Sequence, residues 1–372
     1  MDRLAEKLIA IALEQGFILA GFATLRPLEE RAGFFSRWLA EGRAAGMEWL
    51  AKTPAKRLDP RLIDPRLRSV MTLAWPYIPP RPPAIDWRAA MRGRIAAYAL
   101  GLDYHDTVKA RALTVAAALA AERPGAVTRV YVDTGPVFER EWAAAAGLGW
   151  FGRNTNLLNR YHGSYFFLAE ILTDLGFDAP KAPYRDHCGT CRRCLDLCPT
   201  GALADGYLLE PRLCISYLTI EHRGAIPRAM RPRLGNWIFG CDICQEVCPW
   251  NNDATAAAPI NEALMPPLAE LLALDDDGFR RRFAKSAIRR AKRSGLLRNA
   301  AVALGNSGNP AAIAPLAATL ANEPDAQIRA HAAWALGRFD AADARRALEQ
   351  ARRGESAPEV NQEITLAIER AP

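Results

Sequence analysis

The chain has 372 residues, half of them hydrophobic and 24% charged, with a formal net charge of +7 and a pI near 9.1. This is ordinary globular composition, long enough for two or three domains, and without an apolar run of about 20 residues a membrane span is not expected. The basic charge permits a polyanionic partner without requiring one.

The first predicted element is an amphipathic helix. In "MDRLAEKLIAIALEQG", Leu4, Leu8 and Ile11 fall on one helical face, and Gly16 is a suitable stop. Charged residues interrupt this stretch, which therefore lacks the uncharged core of a secretion signal. We expect a cytoplasmic protein.

Strand and helix patterns then alternate through residues 1–180. The sequence predicts strands at 17–24, 70–78, 127–134 and 165–173, with helices at 105–122 and 137–147. The mixed pattern is typical of an α/β or α+β domain, and we take residues 1–180 as the α/β first domain of an α+β multidomain chain. Proline-marked linkers, "FDAPKAPYRD" and "PWNNDATAAAPI", set off a module at 181–255 from a last domain at 256–372.

Three short motifs in the first domain do not support the functions that their patterns suggest. "DYHDTV" has the Asp103 and His105 of a cobalamin-binding D-x-H-x-x-G motif, but Val108 occupies the glycine position. "DTG" at 133–135 has no second copy, so the paired carboxylates of an aspartic protease are missing. "GLGWFG" follows an alanine-rich helical stretch, whereas a dinucleotide fingerprint follows a strand.

Asp133 is a candidate site residue on its position alone. It follows a β-branched run and enters a turn. Acids at the carboxyl end of a strand often serve chemistry, but a turn aspartate can also simply bond its own backbone. The residues leave both interpretations open.

All eight cysteines lie between Cys188 and Cys248. Disulfides, zinc and iron–sulfur clusters are the alternatives, and a reducing cytosol favours thiolate ligands over disulfides. "CGTCRRCLDLCP" has the C-x2-C-x2-C-x3-C-P spacing that wraps three thiolates round one [4Fe–4S] cube and gives the fourth to another. A second run, "CDICQEVCP", follows Cys214 across residues 215–240.

The exchange of fourth cysteines predicts two ligand sets. Cluster one takes Cys188, Cys191, Cys194 and Cys248, and cluster two takes Cys198, Cys214, Cys241 and Cys244. Structural zinc sites are the alternative, although zinc requires neither a third closely spaced cysteine nor the two cysteine–proline ends. Two cubes would form a ferredoxin-like module that delivers single electrons.

The last domain begins with a basic run and continues as a repeat. In "RRRFAKSAIRRAKRSGLLR" (280–298), helical spacing places Arg281, Lys285, Arg289 and Lys292 on one face, which fits either a phosphate-binding stripe or a solvated surface. "RNAAVALG" (298–305) recurs as "AHAAWALG" (330–337), and "QEITLAI" (362–368) is a fainter copy. The period predicts HEAT-like helical repeats whose small-residue faces serve packing or binding.

Several segments together resemble the tRNA epoxyqueuosine reductases, which are distantly similar to the reductive dehalogenases. They are "AYALGLDYH" (97–105), "VDTGPV" (132–137), "GWFGRNTNLL" (149–158), "GSYFFLAEILTD" (163–174), "CISYLTIEHRG" (214–224), "RNAAVALGN" (298–306) and both cysteine runs. The first departs from the commoner form, with leucines at 100 and 102.

The resemblance implies reduction of epoxyqueuosine to queuosine at the wobble position of tRNA, using two [4Fe–4S] clusters and base-off cobalamin with no protein histidine on cobalt. Asp133 matches the family's proton donor. Besides Asp133, the implied corrinoid-lining residues are Arg57, Tyr98, Asn154, Thr155, Leu158, Ser164 and Ser216. Because of this resemblance, we expect tRNA contacts from the basic run, at Arg281, Lys285, Arg289, Arg290, Lys292, Arg293 and Arg298.

Two other functions compete with this one. A dehalogenase-like reductase of small molecules would leave the basic run unused, and a ferredoxin-type electron carrier would not need the first domain. We expect an external electron donor, no membrane partner and a monomer.

Overall fold

The computed structural model describes residues 3–77, 85–179, 184–204, 207–251 and 265–370. In chain order the helices are α1 (Arg3–Glu14), α2 (Glu29–Ala40), α3 (Glu48–Lys52), α4 (Pro54–Leu58), α5 (Trp87–Ala90), α6 (Tyr104–Glu122), α7 (Glu139–Ala145), α8 (Arg193–Asp196), α9 (Ile215–Ile220), α10 (Ile243–Glu246), α11 (Leu268–Leu272), α12 (Asp276–Arg282), α13 (Lys292–Ser307), α14 (Ile313–Asn322), α15 (Ala326–Leu336), α16 (Ala342–Arg352) and α17 (Pro358–Arg370). The strands are β1 (Leu19–Thr24), β2 (Ser69–Pro76), β3 (Arg94–Ile95), β4 (Thr128–Tyr131), β5 (Trp150–Phe151), β6 (Leu157–Leu158), β7 (Phe166–Thr173), β8 (Leu203–Ala204), β9 (Leu208–Leu209) and β10 (Trp237–Phe239).

The chain forms two compact units, each assembled from separate segments. The first unit contains residues 1–79, 101–211 and 243–257, and the second contains residues 80–100, 212–242 and 258–372. The predicted boundaries of the three domains, 1–180, 181–255 and 256–372, fall in stretches 180–183 and 252–264, outside the described residues. They stay a prediction.

A four-stranded sheet in the order β1-β2-β7-β4 organises the first unit. All four predicted strands enter it, but every neighbouring pair is antiparallel. The α/β label predicted for this domain is therefore wrong, because its sheet lacks the parallel crossovers that define that class, and the unit is α+β.

Helices cover both faces of this sheet. Successive side chains of each strand point to opposite faces, and both faces carry apolar side chains that the helices bury. Met71 and Leu73 face α1 and α6, where the predicted residues Leu4 and Leu8 are buried. Gly16, with φ of +93°, ends the first helical segment as predicted. On the opposite face, Leu172 and its neighbours pack against α7.

The second unit contains the repeats. The copies "RNAAVALG", "AHAAWALG" and "QEITLAI" lie in α13, α15 and α17, which pack in succession. A Cβ on Gly305 would lie 2.8 Å from the Cα of Ala335, and one on Gly337 would lie 2.5 Å from the Cβ of Ala367. The same glycine thus permits the same close helix contact in consecutive copies.

Within the described ranges, no helix combines the length and apolar character needed to cross a membrane.

Candidate active site and cysteine cavity

Asp133 lies just beyond the end of β4 in a turn. Its φ of +57° is in the left-handed region, which non-glycine residues rarely adopt and which often marks functional sites. The carboxylate accepts a hydrogen bond from the Tyr104 hydroxyl at 2.8 Å, and His105 Nε2 lies 3.3 Å from the same oxygen, Oδ2. With 57% of its side chain exposed, Asp133 can reach solvent or a bound molecule.

His105 is held between two carboxylates. Asp103 caps α6, and its Oδ1 accepts from the His105 backbone N–H at 3.1 Å and lies 2.7 Å from the ring Nδ1. The hydrogen bond to Asp133, and after it the one to Asp103, raise the pKa of His105 above its usual value, outweighing burial. The adjacent Tyr104 ring stacks on Phe167, with centroids 4.1 Å apart.

Two further carboxyl groups lie behind Asp133. Glu139, at the start of α7, accepts a hydrogen bond from the Asp133 backbone N–H. Burial, followed by the charge of Asp133, raises the pKa of Glu139. Glu170, in β7, is fully buried, and its pKa is raised well above the usual value by burial and by Glu139. No conventional donor among the described residues reaches either of its oxygens.

A cavity of about 1090 Å³ opens beside Asp133. Of the predicted corrinoid-lining residues, Arg57, Asp133 and Thr155 border it. Aromatic side chains form much of the remaining lining: Phe34, Phe35, Trp38, Trp49, Phe138, Trp150, Phe151, Tyr184 and Tyr207. The cavity therefore combines an aromatic wall with many charged side chains, ten of its lining residues being Arg, Asp or Glu.

Arg57 brings a buried cation to this cavity. Its guanidinium lies 5.1 Å from the centroid of the Trp49 ring, and Nη1 donates to the Gly135 carbonyl at 3.4 Å. Burial lowers the pKa of Arg57, against the opposing charges of Glu139 and Asp133. Its Nε has no hydrogen-bond partner within the described part of the chain, so it can donate to a ligand.

Four cysteines surround a second, smaller cavity of about 230 Å³. They are those predicted for cluster one: Cys188, Cys191, Cys194 and Cys248. Burial, and then the charges of Cys248 and Cys188, raise the pKa of Cys194 to about 11. Each thiolate makes ionisation of its neighbours less favourable. A positively charged group bound between them would offset this repulsion.

Two short segments, 149–158 and 184–188, border both cavities. In residues 149–158, Gly149, Trp150 and Thr155 line the larger cavity, whereas Asn154 and Leu158 line the cysteine cavity. The segment is compact, because a Cβ on Gly149 would lie 2.1 Å from the Leu158 carbonyl oxygen. Asn154 and Leu158, predicted to line the corrinoid, thus line the cysteine cavity, and neither is among the residues lining the larger one.

The other predicted corrinoid residues lie elsewhere. Ser164 is buried in the first unit, where its N–H donates to Asn251 Oδ1 at 2.7 Å. Tyr98 and Ser216 belong to the second unit. Tyr98 lies beside Phe239, with ring centroids 6.0 Å apart, and Ser216 lies in α9. Their predicted roles stay predictions.

The cysteines predicted for cluster two are divided between the units. Cys198 and Cys244 belong to the first, and Cys214 and Cys241 to the second. Cys214 immediately precedes α9. This ligand set stays a prediction.

The basic run is not one helix. It consists of α12, a 3₁₀ turn at Ala287–Ala291 and α13, with breaks at Lys285 (φ +56°) and Lys292 (φ +61°). The helical face predicted for its cations therefore does not form. Exposed side chains nevertheless remain at Arg281, Lys285, Arg289, Arg290 and Lys292.

Several cations of the run are engaged within the second unit. Arg290, although exposed, forms a two-pronged ion pair with Glu221. Arg298 is fully buried and donates to the carbonyls of Leu218, His222 and Gly224, so its prediction as a tRNA contact is wrong. Burial lowers its pKa to about 9. Arg293 is mostly buried in a two-pronged ion pair with Glu323, which also removes it as a free surface cation.

Sequence reasoning missed the polar groups around Asp133. His105 carried a signal, the D-x-H pattern, that pointed to a cobalt ligand, whereas both of its ring nitrogens face carboxylates. Glu139 follows "DTGPV" closely in the chain. Glu170 had no usable signal, since it lies inside a predicted strand.

Comparisons with known proteins decide the family. The chain is 39% identical to an epoxyqueuosine reductase from Pseudomonas aeruginosa over 349 residues, which cover 90% of this chain and 94% of that one. A relative of the same name from Xanthomonas campestris pv. campestris is also 39% identical, over 89% of this chain and 95% of its own. The chain belongs to the epoxyqueuosine reductase family.

Family models match three segments of the chain. The model for epoxyqueuosine reductase QueG, DUF1730, matches residues 57–134, and that for a 4Fe-4S double cluster binding domain matches 187–251. HEAT repeats match 285–369. The predictions of a double-cluster segment and of HEAT-like repeats are confirmed.

Solved structures agree with this assignment. An epoxyqueuosine reductase bound to an epoxyqueuosine-modified tRNA-Tyr stem loop matches with a TM-score of 0.92 at 31% identity, over 99% of each chain. The Bacillus subtilis enzyme, solved with its catalytic aspartate loop swung out of the active site, also matches with 0.92 at 30% identity, over 100% of this chain and 99% of that one. A reductive dehalogenase matches with only 0.40 at 17% identity, over 81% of this chain and 37% of that one, which is too distant to bear on function.

Proposed function

We propose that this enzyme reduces epoxyqueuosine to queuosine at the wobble position of tRNA, using two [4Fe–4S] clusters, cobalamin and Asp133 as the proton donor. The observation that carries the proposal is the convergence of Asp133, Arg57 and Thr155 on one cavity, which shares two bordering segments, 149–158 and 184–188, with the cysteine cavity. The relative solved with a modified tRNA stem loop supports the substrate.

The cysteine cavity fits a cluster better than a single ion. Four thiols line a space of about 230 Å³, and within the described ranges no three His, Cys, Asp or Glu side chains converge closely enough to hold one metal ion. Cys188, Cys191, Cys194 and Cys248 would hold the first cube, and Cys198, Cys214, Cys241 and Cys244 the second. The cubes would carry single electrons from an external donor.

The larger cavity fits cobalamin in size and chemistry. Its apolar, aromatic wall suits the face of a macrocycle, while the free Nε of Arg57 suits amide oxygens at the macrocycle rim. When bound, cobalamin would supply a strongly reducing cobalt centre, which no side chain can provide. A base-off mode without protein histidine agrees with His105, whose ring nitrogens both face carboxylates.

Asp133 is the residue best placed to act on the substrate oxygen. It borders the cavity, and its carboxylate is partly exposed while Tyr104 and His105 hold one oxygen. A positioned general acid contributes about 10²–10⁴-fold to the rate. The left-handed backbone at Asp133 is consistent with a loop that moves, as the swung-out loop of the Bacillus subtilis enzyme does.

The exposed cations of the basic run would bind the tRNA backbone. Arg281, Lys285, Arg289 and Lys292 are exposed predicted contacts, whereas Arg290 would have to exchange its ion pair with Glu221 for a phosphate. Proteins recognise single-stranded RNA loops by splaying out their bases, which would let a wobble base enter a cavity. A cytoplasmic location follows from this substrate.

The test is conversion of epoxyqueuosine to queuosine in tRNA, followed by mass spectrometry. Protein purified without oxygen would be reconstituted with iron, sulfide and cobalamin and supplied with a chemical reductant. We expect cobalamin-dependent conversion, reduced roughly 10²-fold or more in Asp133→Asn, with iron and cobalamin content unchanged. Asp178→Asn, at an exposed site in the same unit, is the matched control.

Full activity in Asp133→Asn would remove its role as the acid. No conversion by protein with both clusters and bound cobalamin would refute the tRNA substrate and direct the search to small-molecule reduction.

A further inference from the structure

The Asp103–Tyr104–His105 motif is a polar group that the proposed function does not yet use. It opens α6, and all three side chains are tied to one another or to Asp133. The Asp103 carboxylate is within hydrogen-bond distance of Nδ1 of His105 and the Asp133 carboxylate is within hydrogen-bond distance of Nε2, so the imidazole bridges two carboxylates. With 32% of its side chain exposed, His105 can also exchange protons with water.

The stoichiometry of the proposed reaction requires more than one proton. Loss of an epoxide oxygen as water breaks two carbon–oxygen bonds, and two electrons from the reductant restore a carbon–carbon double bond. Two protons must end on the departing oxygen. Asp133 carries only one, so its carboxylate must regain a proton before the oxygen can leave as water.

We propose that His105, oriented by Asp103, returns this proton to Asp133 and thereby supplies the second proton of each turnover. The inference rests on the proposed function, and it makes His105 act through Asp133 rather than on the substrate.

Each transfer can be written between named atoms. Asp133 gives its proton to the oxygen and becomes a carboxylate. The Nε2–H of the His105 imidazolium then donates to Asp133 Oδ2, 3.3 Å away, and the neutral ring keeps its Nδ1–H directed at Asp103 Oδ1. Solvent reprotonates the partly exposed ring. Hydrogen bonds of this kind are often long in the ligand-free state and shorten on substrate binding.

The charged groups around this pair favour an imidazolium. Asp103 and Asp133 face the ring, and Tyr104 bonds the same oxygen of Asp133. Behind Asp133, Glu139 holds its backbone N–H, and the Arg57 guanidinium of α4 interacts with the charges of both acids. The pKa of His105 is raised, so the ring is protonated below that value and loses its proton as pH rises through it.

The first test needs neither cofactor nor substrate. The chain has five histidines, so the ring titrations can be followed by NMR in isotopically labelled protein. We expect Asp133→Asn to lower the pKa of His105 while leaving that of His162 unchanged. A His105 titration that does not respond to Asp133→Asn would overturn the inference.

The second test uses single-turnover conversion across pH. His105→Gln should slow the rate on the order of 10²-fold at neutral pH and abolish its decline with rising pH, whereas His162→Gln should behave like the wild type. Asp103→Asn retains a cap for α6 and should give an intermediate loss.

Chemical rescue separates proton delivery from positioning. Added imidazole should restore much of the rate of His105→Ala, because it can carry the missing proton, and it should not affect Asp133→Asn. A normal rate and pH profile in His105→Gln would overturn the inference while leaving the proposed function intact. A wild type without activity would instead refute the proposed function.

Discussion

Glu170 places an ionisable group inside the sheet of the first unit. It lies opposite Thr72 of β2 and Tyr131 of β4, and it shares the face that α7 covers. Burial favours the neutral acid, and the charge of Glu139 and the hydrogen bond between the two carboxyl groups add to this preference. The folded state therefore favours a protonated carboxyl group beside the candidate site.

Glu170→Gln should stabilise the protein increasingly as pH rises. The folded state holds a proton that the unfolded chain releases above the ordinary glutamate pKa, so wild-type stability falls as pH increases between that value and the raised one. Glutamine carries no such proton. Melting temperatures measured without oxygen at pH 5, 6.5 and 8 should show a widening advantage for the variant.

Glu6→Gln, on the exposed side of α1, is the control and should show no trend. A constant difference between Glu170→Gln and wild type at all three pH values would mean that Glu170 is not held neutral.

Single residues were predictable from sequence where the signal was local. The signal for the cluster cysteines and the signal for Asp133 in a turn each come from a stretch of only a few residues. Arg298 looked like one more cation in a basic run, but its burial depends on carbonyls such as that of Leu218, 80 residues away. Glu170 could not be recognised, because the strand pattern does not show what lies across the sheet.

The local sequence pattern predicted the secondary-structure elements better than it predicted how those elements are arranged. All four predicted strands formed, and the helix predicted at 105–122 corresponds to α6. The insertion of β7 between β2 and β4 depends on pairing between distant segments, which periodicity does not encode. The basic run kept its exposed charges but not its single helix.

Neutralising the exposed basic run should weaken tRNA binding in a salt-dependent manner. In a variant with Arg281, Lys285, Arg289 and Lys292 all changed to Gln, the slope of log affinity against log salt should fall by up to about 3, because each lost phosphate contact removes about 0.7–0.9. Binding titrations with a tRNA stem loop at several salt concentrations would measure it.

The control removes four exposed arginines from α16 and its end, Arg345, Arg346, Arg352 and Arg353. Equal losses of affinity in both variants would indicate a general charge effect. An unchanged slope in the basic-run variant would show that these residues form a solvated surface and do not contact tRNA.

At the scale of the whole molecule, the cysteine runs do not follow the boundaries of the compact units. Residues 188–211 and 243–257 belong to the first unit, and 212–242 to the second. Cys248 lines one cavity with three cysteines of the first run, although many residues separate them in sequence. Spacing predicted this exchange because the pattern is specific to two-cube proteins.

Cysteine variants should fall into two groups that do not follow sequence order. Cys188→Ala and Cys248→Ala should lose the same cluster, and Cys198→Ala the other, each leaving about four of eight irons. Iron analysis and electron paramagnetic resonance of the remaining cluster would compare them. A spectrum of Cys248→Ala that matches Cys198→Ala instead would contradict the exchange.

The contacts of α13 also determine how early in synthesis the segment with Cys214 and Cys241 can be held in its folded position. Arg298 and Asn299 bind carbonyls of residues 218–224 and of Ile238, in the segment that carries Cys214 and Cys241. These two cysteines leave the ribosome well before the residues that hold their segment in place. Under the proposed ligand set, the second cluster would therefore be inserted either into an unanchored segment or after residues 298 and 299 have been made.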